Sequence, residues 1–175
     1  MTKLIHTENN TYENENYVFF WGSVFSNWAK CKFVHEGIEY SSSEQAMMAA
    51  KARLFGDVGA YYDIMNTHDP REQKAIGRTV QNFDQEKWMA VCFPLVTDAI
   101  HSKFAQNEEF KKMLLATGDK TIVESAPNDT VWGIGMHAND PDILDESKWK
   151  GTNLLGKALM EVRKRIRSAE TKIYE

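Results

Sequence analysis

A succession of helix start and stop signals between Ser41 and Gly118 constrains this chain more than any other feature. Ser41-x-x-Glu44 reads as a capping box ahead of an Ala/Met-rich stretch that Gly56 ends. "VGAYYDIMN" (58–66) reads as a short second helix. Asp69-Pro70 combines a capping acid with a proline suited to the first turn. Asp84 opens a long helical stretch, which Pro94 is expected to kink or split. Asn107 caps the next segment and Gly118 stops it. A last helix from about Asn153 carries Leu155, Leu159, Val162 and Ile166 at helical spacing. Strand signals are fewer. "YVFFW" (17–21) reads as a buried strand, "CKFV" and "GIEY" flank His35-Glu36-Gly37 as a hairpin, and "KTIVES" (120–125) reads as a further strand. Residues 126–152 are rich in Gly, Asp and Pro and read as loop. The expected class is α+β, predominantly α-helical: a polar, loosely ordered segment 1–16, then a single domain over 17–175.

Charge and cysteine usage narrow the function. A net charge of −4 argues against nucleic-acid binding by bulk electrostatics, although one exposed base needs little groove. Cys31 and Cys92 stand far apart, so a disulfide framework is not expected and a reducing cytoplasm fits. The opening residues lack the apolar run of a signal peptide, and no stretch is apolar for long enough to span a bilayer, so no membrane association is expected. Metal spacings, a calcium loop, a phosphate loop, a dinucleotide-binding glycine pattern and a serine elbow are all lacking. "EVRKRIR" either faces phosphate or supplies the cations that suit the end of a helix.

Two segments carry chemistry. At 100° per residue, Met48, Lys51 and Phe55 fall within about 40° of Glu44, so two opposite charges share the side of a helix with bulky apolar groups. Either Glu44 completes the capping box while Lys51 reaches past Phe55 to water, or this face lines a cavity. A rise of ~1.5 Å per residue separates the two charges by roughly 10 Å along the axis, room for a sugar and its base. In "APNDTVWGIG" the single acid Asp129 stands near Trp132, with glycines that permit close backbone approach. The segment is either a tight turn around a core indole or part of a binding site.

Taken in order, "FSNW", "SSEQAMMAAKA", Gly77-Arg78, Trp88, "KFAQN", "LLATGD", "IVESAPNDTVWGIG" and "WKGTNLLGKALMEVR" resemble the NADAR family, also called YbiA-like, from about Tyr17 to Arg167. The resemblance implies a compact, mainly helical α+β domain and N-glycosidase activity on nucleotide-derived substrates. It favours ADP-ribosylated guanine, borne by nucleic acid or nucleoside, over phosphoribosylated riboflavin intermediates, with a non-catalytic ADP-ribose- or NAD-binding module as the competing class. It implies no cofactor and no metal, and the chain is expected to act as a monomer. By position, Glu44, Lys51 and Asp129 match catalytic residues, and Asn27, Arg78, Trp132, Gly133, Gly151 and Asn153 match substrate-binding ones. Gln45 and Ile134 stand where some members carry His and a second Asp, which leaves substrate identity open more than reaction class.

This residue set suits the chemistry. Cleaving a ribosyl C1–N bond builds positive charge at C1 and on the ring oxygen while the departing nitrogen takes a proton. Lys51 is expected to serve as nucleophile or proton donor and Glu44 as the main acid–base group. Asp129 would orient ribose hydroxyls or stabilise charge at C1. Trp132 would pack on base or sugar and Arg78 would meet phosphate.

Overall fold

In a computed structural model of the chain, which describes residues 3–173, the contacts divide the chain into two units. One comprises the residues up to Ser26 together with those from Lys112 onward; the other is Asn27–Lys111. Residues 1, 2, 174 and 175, at the ends of the two expected sequence spans, lie outside the described residues.

The first unit is built on a sheet. β1 (Ile5–His6), β2 (Thr11–Glu13), β3 (Tyr17–Phe20) and β6 (Thr121–Glu124) lie side by side in that order. The first three are antiparallel, and β3 runs parallel to β6 with Val18 opposite Ile122 and Phe19 opposite Val123. Within the polar stretch, residues 5–6 and 11–13 are therefore strands where composition implies loose order. Main-chain pairing to the apolar β3 supplies what side-chain hydrophobicity lacks, as in Thr11 opposite Phe20. The inward residues of β3 and β6 form a core with the long loop: Phe19 and Val123 pack with Ile134, Met136 and Ile143, and Trp149 closes over them. α6 (Leu154–Ile173) lies on β6. Its Leu155, Leu159 and Val162 are fully buried, as the helical spacing predicts. Residues 126–152 are loop apart from one 3-10 turn, Glu146–Lys148.

The three arginines of the basic run in α6 pair within this unit, while Lys164 is exposed. Arg163, buried, donates to the Thr117 hydroxyl (2.8 Å) and the Lys120 carbonyl (2.9 Å). Arg167 pairs with Asp119 at 2.8 Å, and Arg165 with Glu161 at 3.0 Å. α6 also approaches β6 closely at Gly156, where a Cβ would stand 2.1 Å from the Ile122 carbonyl oxygen. Backbone cannot yield as a flexible side chain does. Gly156→Ala is expected to cost about 2–3 kcal/mol, read from urea unfolding.

The second unit is helical. β4 (Phe33–His35) and β5 (Ile38–Tyr40) form the expected hairpin, turning through Glu36 and Gly37 at φ 52° and 78°. α1 (Ser43–Leu54), α2 (Val58–Asn66), α3 (Pro70–Gly77) and α4 (Gln85–Gln106) follow, and α5 (Glu108–Ala116) continues the chain. α1 is the central element, packed against α2, α3 and α4. Ala46, Ala49 and Ala52 are buried along with Met47 and Met48, so the first two turns are enclosed rather than one-sided. No helix among the described residues is long and apolar enough to cross a membrane.

Three local expectations change. The N-cap of α1 is Ser42, which accepts from the Gln45 main-chain N–H, one residue later than the expected Ser41–Glu44 box. α4 runs unbroken through Pro94, because Pro94 and Ala90, whose carbonyl it leaves unbonded, are both on the exposed side. Asn107 contributes as a donor rather than as an accepting cap, its amide bonding the Lys103 and Lys32 carbonyls at 2.7 and 3.2 Å.

Candidate active site

The one-residue shift at the start of α1 removes Glu44 from the cap. It is the second residue of the helix, only 3% exposed, in the turn where the helix dipole favours an anion. Its main-chain N–H bonds the Asn27 carbonyl at 2.9 Å, and the neighbouring Ser43 hydroxyl donates to Asn27 Oδ1 at 2.8 Å. Asn27, buried, thus fixes the entry of α1 directly beside Glu44. Gln45 points elsewhere: its Oε1 accepts from Ser41 N–H and its amide donates to the Ile64 and Thr67 carbonyls. Gln45 is thus committed to joining α1 to α2.

Two turns further on, Lys51 is half-buried and does not reach past Phe55 to water. Its Nζ donates to the Gly77 carbonyl at 2.7 Å, at the end of α3, and lies 4.2 Å from the centre of the Phe83 ring. α3 comes this close because Gly77 has no Cβ; one would stand 1.9 Å from Met48 Sδ. Burial holds the Lys51 amine below its ordinary pKa, Glu44 raises it, and Arg78 lowers it further. Glu44 and Arg78 thus both bear on Lys51 within this unit, and Asn27 contacts the start of α1 beside Glu44. The amine is a stronger candidate nucleophile than a solvated lysine, since more of it is unprotonated at a given pH.

The remaining candidates belong to the first unit and are joined by one doubled loop. Asp129 Oδ1 accepts from the main-chain N–H groups of Val131 (2.9 Å), Trp132 (2.8 Å) and Gly133 (3.4 Å). Its carbonyl takes the N–H of Gly135 at 2.9 Å. Trp132 is buried, and the segment forms a tight turn, which either reading of "APNDTVWGIG" accommodates. Gly151 admits a close crossing: a Cβ there would stand 2.3 Å from the Gly133 carbonyl oxygen and 2.7 Å from Thr130 Cα. Asn153 takes a left-handed conformation (φ 53°), and its side chain accepts from Glu124 N–H and donates to the Ile122 carbonyl, both at 3.0 Å. Both groups of that amide bolt the start of α6 to β6. Ile134 is fully buried in the core.

The turn gives Asp129 a structural duty that can be separated from a chemical one. Asparagine keeps the accepting Oδ1 and loses the charge; alanine loses both. Asp129→Asn is expected to unfold in urea like the parent yet lose turnover, whereas Asp129→Ala is expected to lose about 1–2 kcal/mol of stability as well. Equal turnover in parent and Asp129→Asn would confine this side chain to the turn.

Sequence reasoning passed over the Gly77 carbonyl and Phe83, since spacing gives no sign that a lysine of α1 meets the loop between α3 and α4. Among the described residues no group of three His, Cys, Asp or Glu side chains gathers as a metal site.

The helical unit holds a buried Glu44, a half-buried Lys51 and Arg78, and the sheet unit holds the Asp129–Gly133 turn. The chain belongs to the NADAR family, whose domain model matches residues 19–167. It is 43% identical to N-glycosidase R617 of Acanthamoeba polyphaga mimivirus, covering 86% of this chain and 96% of the relative. It is 30% identical to N-glycosidase YbiA of Escherichia coli K12, over 81% and 80% of the two chains. The solved NMR structure of the E. coli protein YbiA superposes with a TM-score of 0.75 at 25% identity, covering 95% of this chain and 94% of that one. The helical α+β fold expected from the sequence is the fold of that structure.

Proposed function

We propose that this chain is an N-glycosidase that hydrolyses a ribosyl C1–N bond, with ADP-ribose attached to guanine as its preferred substrate. The observation that carries the reading is the buried Glu44 acting on the half-buried amine of Lys51. The names of the R617 and YbiA relatives support the reaction class.

Lys51 attacks C1 or protonates the departing nitrogen. In the first route Lys51 passes a proton to Glu44, the freed amine nitrogen bonds C1 as the C–N bond to the base breaks, and the base leaves with that proton from Glu44. Ring opening then gives a Schiff base, to which water adds, returning the free amine and the sugar aldehyde. Asp129 is assigned the ribose hydroxyls or the charge at C1, Arg78 a phosphate, and Trp132 a packing surface. Asn27, Gly133, Gly151 and Asn153 serve the substrate through the backbone they shape. Cys31 and Cys92, both free thiols, fit a reducing compartment.

The test is incubation with ADP-ribosylated guanosine, NAD and a phosphoribosylaminouracil intermediate, followed by mass spectrometry. Free guanine-containing product from the first alone is the expected result. Release from the third alone would move the substrate to riboflavin intermediates, and binding without product would make the protein a reader of ADP-ribose.

A further inference from the structure

Phe83 is a large apolar side chain left 42% exposed, outside the buried core. Its placement is nevertheless specified. Gln81 N–H bonds Asp57 Oδ2 at 2.8 Å, Asn82 turns the chain through φ 58°, and Asp84 caps α4 by accepting from Lys87 N–H. Between these fixed points the Phe83 ring meets Phe55 edge to face, with ring centres 5.3 Å apart at 70°. Lys51 Nζ lies against the same ring at 4.2 Å while donating to the Gly77 carbonyl. A loop pinned at both ends thus holds an aromatic ring over an amine.

We propose that Phe83 is a positioning residue for Lys51: its ring roofs the ε-amine, fixes it against the Gly77 carbonyl and keeps bulk water from it. The inference rests on the reading of Lys51 as the reacting amine, but its geometry is that of the resting protein. Two effects of the ring oppose each other. An aromatic face attracts an ammonium ion, whereas exclusion of water penalises it. The charged groups acting on Lys51 are Glu44 from α1, which favours the ammonium, and Arg78 at the end of α3, which disfavours it. Burial outweighs both, and a ring 4.2 Å from the amine is part of what buries it.

The experiment is competitive acetylation of the whole protein with acetic anhydride across pH, without substrate, with Lys51 quantified by peptide mass spectrometry. Phe83→Ala is expected to move the half-labelling pH of Lys51 upward, because water returns to the amine. Phe83→Leu, which covers without an aromatic face, is expected to stay near the parent. No shift in Phe83→Ala, a downward shift, or a Phe83→Leu profile matching Phe83→Ala would each overturn the proposal. With substrate, Phe83→Ala is expected to lower kcat, displace the pH–rate profile to the alkaline side and leave KM nearly unchanged. Should no N-glycosidic substrate be found, labelling still decides the role of Phe83. Should labelling be unmoved while turnover depends on Lys51, the enzyme reading stands and this one falls.

Discussion

Lys51→Met is expected to abolish measurable turnover and leave the fold intact. Methionine keeps an unbranched apolar stem beside Phe83 and Met48 while removing the amine. The lost bond to the Gly77 carbonyl is worth about 1 kcal/mol, partly offset because a charge no longer has to be held half-buried. The chemical loss is far larger. An amine that protonates the leaving nitrogen contributes ~10²–10⁴ in rate, and one that carries the sugar covalently removes the pathway altogether. Glu44→Gln isolates the companion role: it retains the shape at a 3% exposed position and is expected to lower kcat within the same ~10²–10⁴ range. Urea unfolding establishes that both variants are folded, and single-turnover assays measure the loss. Borohydride reduction during turnover is expected to trap the sugar on Lys51 in the parent and nothing in Lys51→Met. Full activity in Lys51→Met would remove this residue from the chemistry.

The second large effect concerns stability rather than turnover. Lys103, in α4, is 1% exposed, with its ammonium 5.1 Å from the Phe104 ring centre and 5.8 Å from that of Phe110. Burial drives its pKa from 10.5 down to about 8, against a smaller upward pull from Cys31. Between about pH 8 and 10.5 the folded protein has released this proton while the unfolded chain still binds it, so stability contributed by this group rises with pH across that window. Below the window both states carry the charge, and the full cost of burying it remains. Each unit between the folded and unfolded values is worth about 1.4 kcal/mol, so the rise amounts to up to about 3 kcal/mol. Lys103→Met has no such proton. The difference in unfolding free energy between parent and variant is therefore expected to climb by that amount from pH 8 to 10.5, measured by urea titrations at intervals. Parallel pH dependences would place the Lys103 proton outside the folding equilibrium.

How much was legible in the sequence depends on how local each determinant is. Asp69-Pro70 and Asp84 act on main-chain groups two or three residues away, and their helices start where those residues predict. The Glu36-Gly37 turn likewise needs only its own left-handed backbone. The cap of α1 is different. Three consecutive serines offer equivalent hydroxyls, and the choice among them falls to partners from elsewhere: Ser42 also bonds Gln73, and Ser43 bonds Asn27. That choice shifts Glu44 by one position, from cap to candidate acid. Polarity likewise misled at residues 5–13, where pairing with β3 makes strands that composition disfavours.

By itself the sequence determined the helical class, the turns, and the alignment of Glu44 with Lys51, because main-chain capping and a 100° rotation per residue operate within one element. Only the tertiary structure decided what the amine meets. Gly77 lets α3 close on Met48, the Gly77 carbonyl takes the Lys51 proton donor, and Phe83 covers it from a loop some thirty residues away. Such meetings are set by how helices pack, through the summed shapes of many side chains, and no spacing along the chain records them.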